Sequence, residues 1–480
     1  MSVHLDELST MDAIAQAELV RRRELTPLEL VDAAIARIER VNPTINAVIT
    51  SLFEEARAAA VSPDLPDGPF RGVPFLLKDI VTMQKGQPYY AGNRALRDAG
   101  FRSPVDTPLG ARFRAAGLIT LGKTNLPEFG IQTTTQPVAF GATHNPWALD
   151  RSTSGSSGGS CAAVAAGLVP IAHANDGGGS IRLPAAWCGL VGLKPSRGRV
   201  SAPLDILGLT ELAVSRTVRD VASVLDAVYG SEPEDLYYAP LPMRSYAAEV
   251  GADPGKLRIG MLTKTSFGEI HPECLAATIA AAKLLESLGH KVEESYPEAL
   301  LEPDLRMRLL RLLPLERAGS AAILRGLGQA LGRPASRDDV EPYLWWMATE
   351  LPSATAEQFL EYEEWLLGWR RRVVRWWSAP FDLLLSPTVW EPPATLESMM
   401  PVEDRFSELK AKIERQAFFT WPFNITGQPA ISLPLHWTPE GLPIGVQLVA
   451  GVGREDLLIR VSSQLEQARP WIDRRPLVHA

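Results

Sequence analysis

Cysteine is scarce. The 480 residues hold three, Cys161, Cys188 and Cys274, widely spaced and without a Cys-x-x-Cys pair. A disulfide framework and a cysteine-based zinc site are thereby excluded, and a reducing cytoplasm fits best. Histidine is scarce too, with seven residues that form no metal-ligand cluster along the chain, so no metal site is expected from the residues alone. No apolar run reaches the roughly 18 residues of a membrane span, and the first ten residues lack the basic start and apolar centre of a secretory leader. Basic residues are not in excess. Lys and Arg number 48 against 56 Asp and Glu, a net charge of −8, which argues against nucleic acid as the main partner. The one basic cluster, Arg370, Arg371 and Arg372 with Arg375, reads as a solvated helix face. There is neither an internal repeat nor a low-complexity tract. What remains, 46% hydrophobic and 22% charged residues, is the composition of an ordinary globular chain with a large core.

Periodicity predicts helices over 11–23 and 27–40, the second opened by Thr26 as N-cap and Pro27 in the first turn. Residues 45–50 read as a strand and 53–60 as a helix. Residues 72–80, GVPFLLKDI, form an apolar strand-like run with one lysine inside it, Lys78. Such a lysine either snorkels from an edge or serves as a buried functional amine. A helix over 107–116 and a strand over 118–122 follow, and Asn125 to Glu128 open a further helix. Residues 217–229 read as an amphipathic helix and 231–255 as a surface excursion rich in Pro, Tyr and charge. The pattern then alternates in the α/β manner, strand 256–262, helix 274–288, strand 291–294. Residues 302–377 turn helical and carry six of the twelve tryptophans, namely Trp345, Trp346, Trp365, Trp369, Trp376 and Trp377. They suit packing, a subunit interface or a pocket wall. A strand over 381–385, a helix over 405–418, strands over 429–435 and 445–450 and a helix over 455–467 complete the chain.

The chemistry concentrates in residues 151–199, where hydroxyls sit among glycines in Gly155-Ser156-Ser157-Gly158-Gly159 and Gly177-Gly178-Gly179-Ser180. Glycine lets the backbone approach a ligand closely. Apolar runs over 161–169 and 181–190 read as helices whose free N–H groups point back at these loops, a setting for a developing oxyanion. Three readings compete. Gly155 to Gly159 fits G-x-S-x-G with Ser157 as nucleophile of an α/β hydrolase, but no later histidine sits in a setting that suggests a base. Gly177 to Ser180 could cradle phosphate, but no Gly-Lys-Ser/Thr follows, and no dinucleotide fingerprint exists. The third reading pairs Lys78, held neutral by burial, with two loop serines, one relaying a proton to the other. It accounts for the poverty in histidine.

Several motifs together resemble the amidase signature family: Gly155-Ser156-Ser157-Gly158-Gly159-Ser160, Asp176-Gly177-Gly178-Gly179-Ser180-Ile181-Arg182-Leu183-Pro184 and Gly192-Leu193-Lys194-Pro195. Gly72-Val73-Pro74 with Leu77-Lys78-Asp79, Gly122-Lys123-Thr124-Asn125 and Gly427-Gln428-Pro429-Ala430 resemble it also. The resemblance implies an α/β fold with a mixed, twisted central sheet covered by helices on both faces, and it implies neither metal nor organic cofactor. It implies a Ser–cisSer–Lys triad with Ser180 as nucleophile, Ser156 as the bridging residue after a cis peptide, and Lys78 as general base and acid. The N–H groups of Gly177, Gly178, Gly179 and Ser180 would form the oxyanion hole, and Asp176 and Arg182 would brace the loop. Asn175 and Gly177 stand where the family commonly has threonine, and Ser154 where it has glycine.

The organisation expected is a single domain. Residues 1–60 form an N-terminal helical part, 60–230 the catalytic core, 300–377 a variable helical insertion near the site's mouth, and 380–480 the rest of the core. The activity expected is hydrolysis of a small linear or cyclic carboxamide through an acyl-enzyme, with the amide as the partner and a homodimer plausible for the family. A glutamine-hydrolysing subunit of a tRNA amidotransferase and a non-catalytic protein that keeps the fold are the rivals.

Overall fold

The computed structural model describes residues 5–202, 208–303, 305 and 313–480. Its frame is an 11-stranded sheet, flanked by helices, to which distant parts of the chain contribute. The first strands are β1 (Val48–Ser51), β2 (Pro74–Lys78) and β3 (Ile119–Thr124). A separate two-stranded ribbon follows, β4 (His144–Asn145) with β5 (Ala148–Ser152). The sheet resumes with β6 (Ile171–Asp176), β7 (Val191–Lys194), β8 (Thr210–Ser215), β9 (Arg258–Met261) and β10 (Lys291–Glu294). It ends with β11 (Leu383–Pro387), β12 (Ala430–Trp437) and β13 (Pro443–Ala450). The spatial order is β1-β3-β2-β6-β8-β7-β12-β13-β11-β9-β10. Pairing is mixed as expected: β2 runs parallel to β3 and β6, whereas β6 and β7 are both antiparallel to β8.

The expected helices form with small shifts. Ala13–Arg21 is capped by Asp12, and Pro27–Ile45 starts with a capping box in which Thr26 and Glu29 satisfy each other's backbone N–H. The glycine loops are followed by helices Gly158–Ala165 and Arg182–Cys188. The helix expected from Asn125 does not develop. Only a single 3-10 turn, Glu128–Gly130, forms, with Phe129 at φ 48°. The carboxylate of Glu128 is drawn away instead, accepting from Asn93 Nδ2 at 2.8 Å and from the Glu341 N–H at 2.8 Å. Loop tethering wins over local helical preference here. Strands β4 to β8 carry no strand signal in the sequence. Every residue of β6 and β8 is buried, so neither shows the period-two alternation that marks a half-exposed strand.

Of the segment expected to be helical over 302–377, residues 304 and 306–312 lie outside the described residues. The rest contains helices Leu313–Leu331, Pro342–Thr349 and Ala356–Arg375. Its tryptophans mostly pack. Trp369 is fully buried, donates Nε1–H to the Ala299 carbonyl at 2.9 Å, and lies against Trp365 and Trp421. No helix among the described residues is long and apolar enough to cross a membrane.

Candidate active site

Because β2 and β6 are parallel neighbours, their carboxyl ends emerge at one edge of the sheet, the usual position for a ligand site in such folds. Lys78 ends β2, and Asn175 and Asp176 end β6. The loop before helix Gly158–Ala165 brings Ser156 and Ser157 to the same place, and the Gly155–Ser156 peptide is cis. Lys78 Nζ lies 2.7 Å from Ser156 Oγ, 2.9 Å from Ser157 Oγ and 2.6 Å from Asn175 Oδ1. The lysine is fully buried. Loss of hydration pushes its amine down to about 7, against the opposing pull of the Glu211 charge. Lys78 is therefore a buried amine and not a snorkelling one.

Ser157 Oγ donates to the Asn175 carbonyl at 3.2 Å and accepts from Lys78. No histidine bonds to it among the described residues, so the hydrolase-elbow reading of Ser157 is not met. His173 faces Glu211 instead, with Nε2 3.1 Å from a carboxylate oxygen that also accepts from Thr82.

The turn Gly177-Gly178-Gly179-Ser180 joins β6 to helix Arg182–Cys188. Among the described residues, no group accepts from the N–H of Gly177, Gly178, Gly179 or Ser180, and the Ser180 hydroxyl makes no hydrogen bond. Gly179 has φ 141°, and a Cβ there would come within 2.3 Å of Thr420 Oγ1. Only glycine fits. At Gly177 and Gly178 there is room. A methyl would lie 3.6 Å from Leu209 Cδ1 and 3.8 Å from Trp421 Cδ1 respectively, so these apolar side chains stand over the turn.

Asp176 and Arg182 brace it from below. Arg182 gives Nε–H and one terminal N–H to the two oxygens of Asp176, at 2.9 and 3.0 Å. Its other donors reach Thr420 O, Gln447 Oε1 and Asn424 Oδ1. Asn424 returns a bond to Asp176, and Thr420 Oγ1 donates to Gly178 O at 2.7 Å. Burial raises the Asp176 carboxyl, but the Arg182 charge and hydrogen bonds prevail and bring it down to about 2. Of the residues the sequence singled out, Lys78 and Ser156 are in direct contact and Asp176 and Arg182 form a pair, while the Ser180 hydroxyl is hydrogen-bonded to none of these among the described residues. The sequence did not give Ser157 and Asn175 a place beside the lysine amine. The replaced threonine at 175 was the signal for one of them.

The chain has relatives among known proteins. Residues 29–459 match the Amidase family model. The chain is 45% identical over 479 residues to 6-aminohexanoate-cyclic-dimer hydrolase of Pseudomonas sp. (strain NK87), covering 97% of this chain and 96% of that protein. It is 45% identical over 482 residues to the protein of the same name from Paenarthrobacter ureafaciens, with the same coverage. The solved structure of 6-aminohexanoate cyclic dimer hydrolase complexed with substrate superposes with a TM-score of 0.93 at 44% identity, over 98% of this chain and all of the other. A family model spanning most of the chain, close full-length relatives and a shared fold lead to one conclusion: the chain is an enzyme of the amidase signature family.

Proposed function

We propose that this enzyme hydrolyses a small amide of the 6-aminohexanoate cyclic dimer type, through an acyl-enzyme on Ser180. The observation that carries the reading is the fully buried Lys78 amine, 2.7 Å from Ser156 Oγ, in a chain this similar to the two cyclic-dimer hydrolases. A neutral amine takes the proton of Ser156 Oγ as Ser156 takes that of Ser180. Ser180 Oγ then attacks the amide carbon, and the carbonyl oxygen gathers charge against the free N–H groups of the glycine turn. As the C–N bond breaks, the proton returns through Ser156 to the leaving nitrogen. In a cyclic diamide that nitrogen stays attached to the acyl chain, so acylation opens the ring. Water, deprotonated along the same relay, then cleaves the ester and restores Ser180. Leu209 and Trp421 over the turn suit polymethylene segments, which need apolar contact and no counter-charge.

The test is mass-spectrometric product detection with 6-aminohexanoate cyclic dimer, linear oligomers, simple aliphatic and aryl amides and glutamine, with Ser180→Ala as control. Ring opening that vanishes in Ser180→Ala is the expected result. Equal turnover by that variant, or glutamine as the only substrate, overturns the proposal.

A further inference from the structure

An sp3 amine has three positions besides its carbon, and at Lys78 all three are taken, by Ser156 Oγ, Ser157 Oγ and Asn175 Oδ1. The three neighbours differ in what they can do with a proton. Asn175 Oδ1 is an amide oxygen and only accepts. Ser157 Oγ has committed its own hydrogen to the Asn175 carbonyl, so it too accepts from Nζ. A neutral amine carries two N–H groups and one lone pair. The two N–H groups go to Asn175 and Ser157, and the lone pair is left for Ser156, whose hydroxyl hydrogen has no other acceptor among the described residues.

Asn175 therefore acts twice, through Oδ1 on the amine and through its main-chain oxygen on Ser157. It is almost wholly buried, and its Nδ2 has no acceptor among the described residues. An unsatisfied buried donor of this kind is unfavourable, so something must hold the amide in this orientation. Turning the amide over would not relieve it, since that would aim an NH2 at the amine. The orientation is dictated by Lys78. A threonine, common here in the family, has a hydroxyl that can itself donate to the lone pair and compete with Ser156. An amide oxygen cannot.

We propose that Asn175 is a positioning residue: its Oδ1 claims one N–H of Lys78, so that the amine's lone pair faces Ser156 alone. The same contacts serve the ammonium form, whose third N–H then donates to Ser156 Oγ, so the proton changes sides without movement of heavy atoms.

The inference rests on Lys78 acting as the base, and two readouts keep the two apart. Kinetics with an amide substrate are compared for wild type, Asn175→Asp and Asn175→Leu. In parallel, the amine is titrated by NMR in protein labelled with [ε-13C]lysine, its resonance assigned by loss in Lys78→Met. Asn175→Asp puts a carboxylate beside the amine and should move the Lys78 titration and the acid limb of kcat/KM to higher pH by about 1–3 units. Asn175→Leu frees the lone pair to wander and should lower kcat at least about tenfold with KM nearly unchanged, a fraction of what general base catalysis supplies. An unmoved Lys78 resonance in Asn175→Asp overturns the proposal whatever the kinetics do. So does a wild-type kcat in Asn175→Leu. Turnover that survives Ser180→Ala strikes at the function instead and leaves the NMR titration to decide on Asn175.

Discussion

Arg182 and Asp176 are joined by two parallel hydrogen bonds of 2.9 and 3.0 Å, and neither side chain has any exposed surface. All five N–H donors of the guanidinium are used, three of them on residues from 420 onward. Removing one partner strands the other charge in the interior, which costs about 3–5 kcal/mol. Arg182→Ala and Asp176→Ala should each lower Tm by several degrees and abolish activity. Arg182→Lys should rescue neither, because an ammonium cannot fork to both oxygens. Thermal denaturation and assay of the three variants check this.

The same pair sets an acid limit. The carboxyl of Asp176 is near 2 in the folded chain against about 3.9 when unfolded. A depressed folded value means stability that is fully present above pH 4 and lost as pH falls towards 2. Denaturant titrations across that window should show a falling free energy of unfolding in the wild type. Asp176→Asn, less stable throughout, should have a shallower slope.

The Lys78 amine lies near 7, so the reactive neutral form grows in as pH rises through neutrality. For an amide substrate, kcat/KM should rise with a limb near pH 7 and be about a hundredfold lower at pH 5 than on the plateau. Lys78→Ala should remove the limb together with the activity. A flat profile between pH 5 and 8 contradicts Lys78 as the base.

Gly179 and Gly177 should respond very differently to one added methyl group. At Gly179 it meets Thr420 Oγ1 at 2.3 Å with φ at 141°, whereas at Gly177 it meets only Leu209, at 3.6 Å. Gly179→Ala should reduce soluble yield or kcat by two orders of magnitude or more, about the loss seen when an oxyanion donor is removed. Gly177→Ala should fold normally and act mainly on KM, through the space beneath Leu209.

Trp369 supports the site at one remove. It is buried, bonded to Ala299 O and packed on Trp421, whose ring edges the turn at Gly178. Trp369→Ala should cost about 3–5 kcal/mol and raise KM more than it lowers kcat. Steady-state kinetics at a temperature below the variant's Tm separate the two effects.

What could be read beforehand followed from how local each cause is. Helix starts such as Thr26 followed by Pro27, and the serine–glycine motifs, are written in adjacent residues and were legible. Strands β6 and β8 were not, because burial on both faces removes the alternation that reveals a strand. The turn at Glu128 was misjudged because its carboxylate answers to Asn93 and Glu341, the second of them more than 200 residues away. Lys78 beside Ser156 was legible as a motif. The part of Asn175 in fixing the lysine depends on a contact between residues 97 positions apart, which no spacing announces.

The brace under the glycine turn carries a consequence for how the enzyme comes into being. Arg182 closes onto Gln447, 265 residues later, and β7, which follows the turn, is hydrogen-bonded to β12 near the end of the chain. Such pairings are slow to find and cannot form before the late segments exist. A chain still being synthesised has its serines and its lysine long before it has Thr420, Asn424 and Gln447. Catalytic competence should thus arrive abruptly, with the last tenth of the sequence.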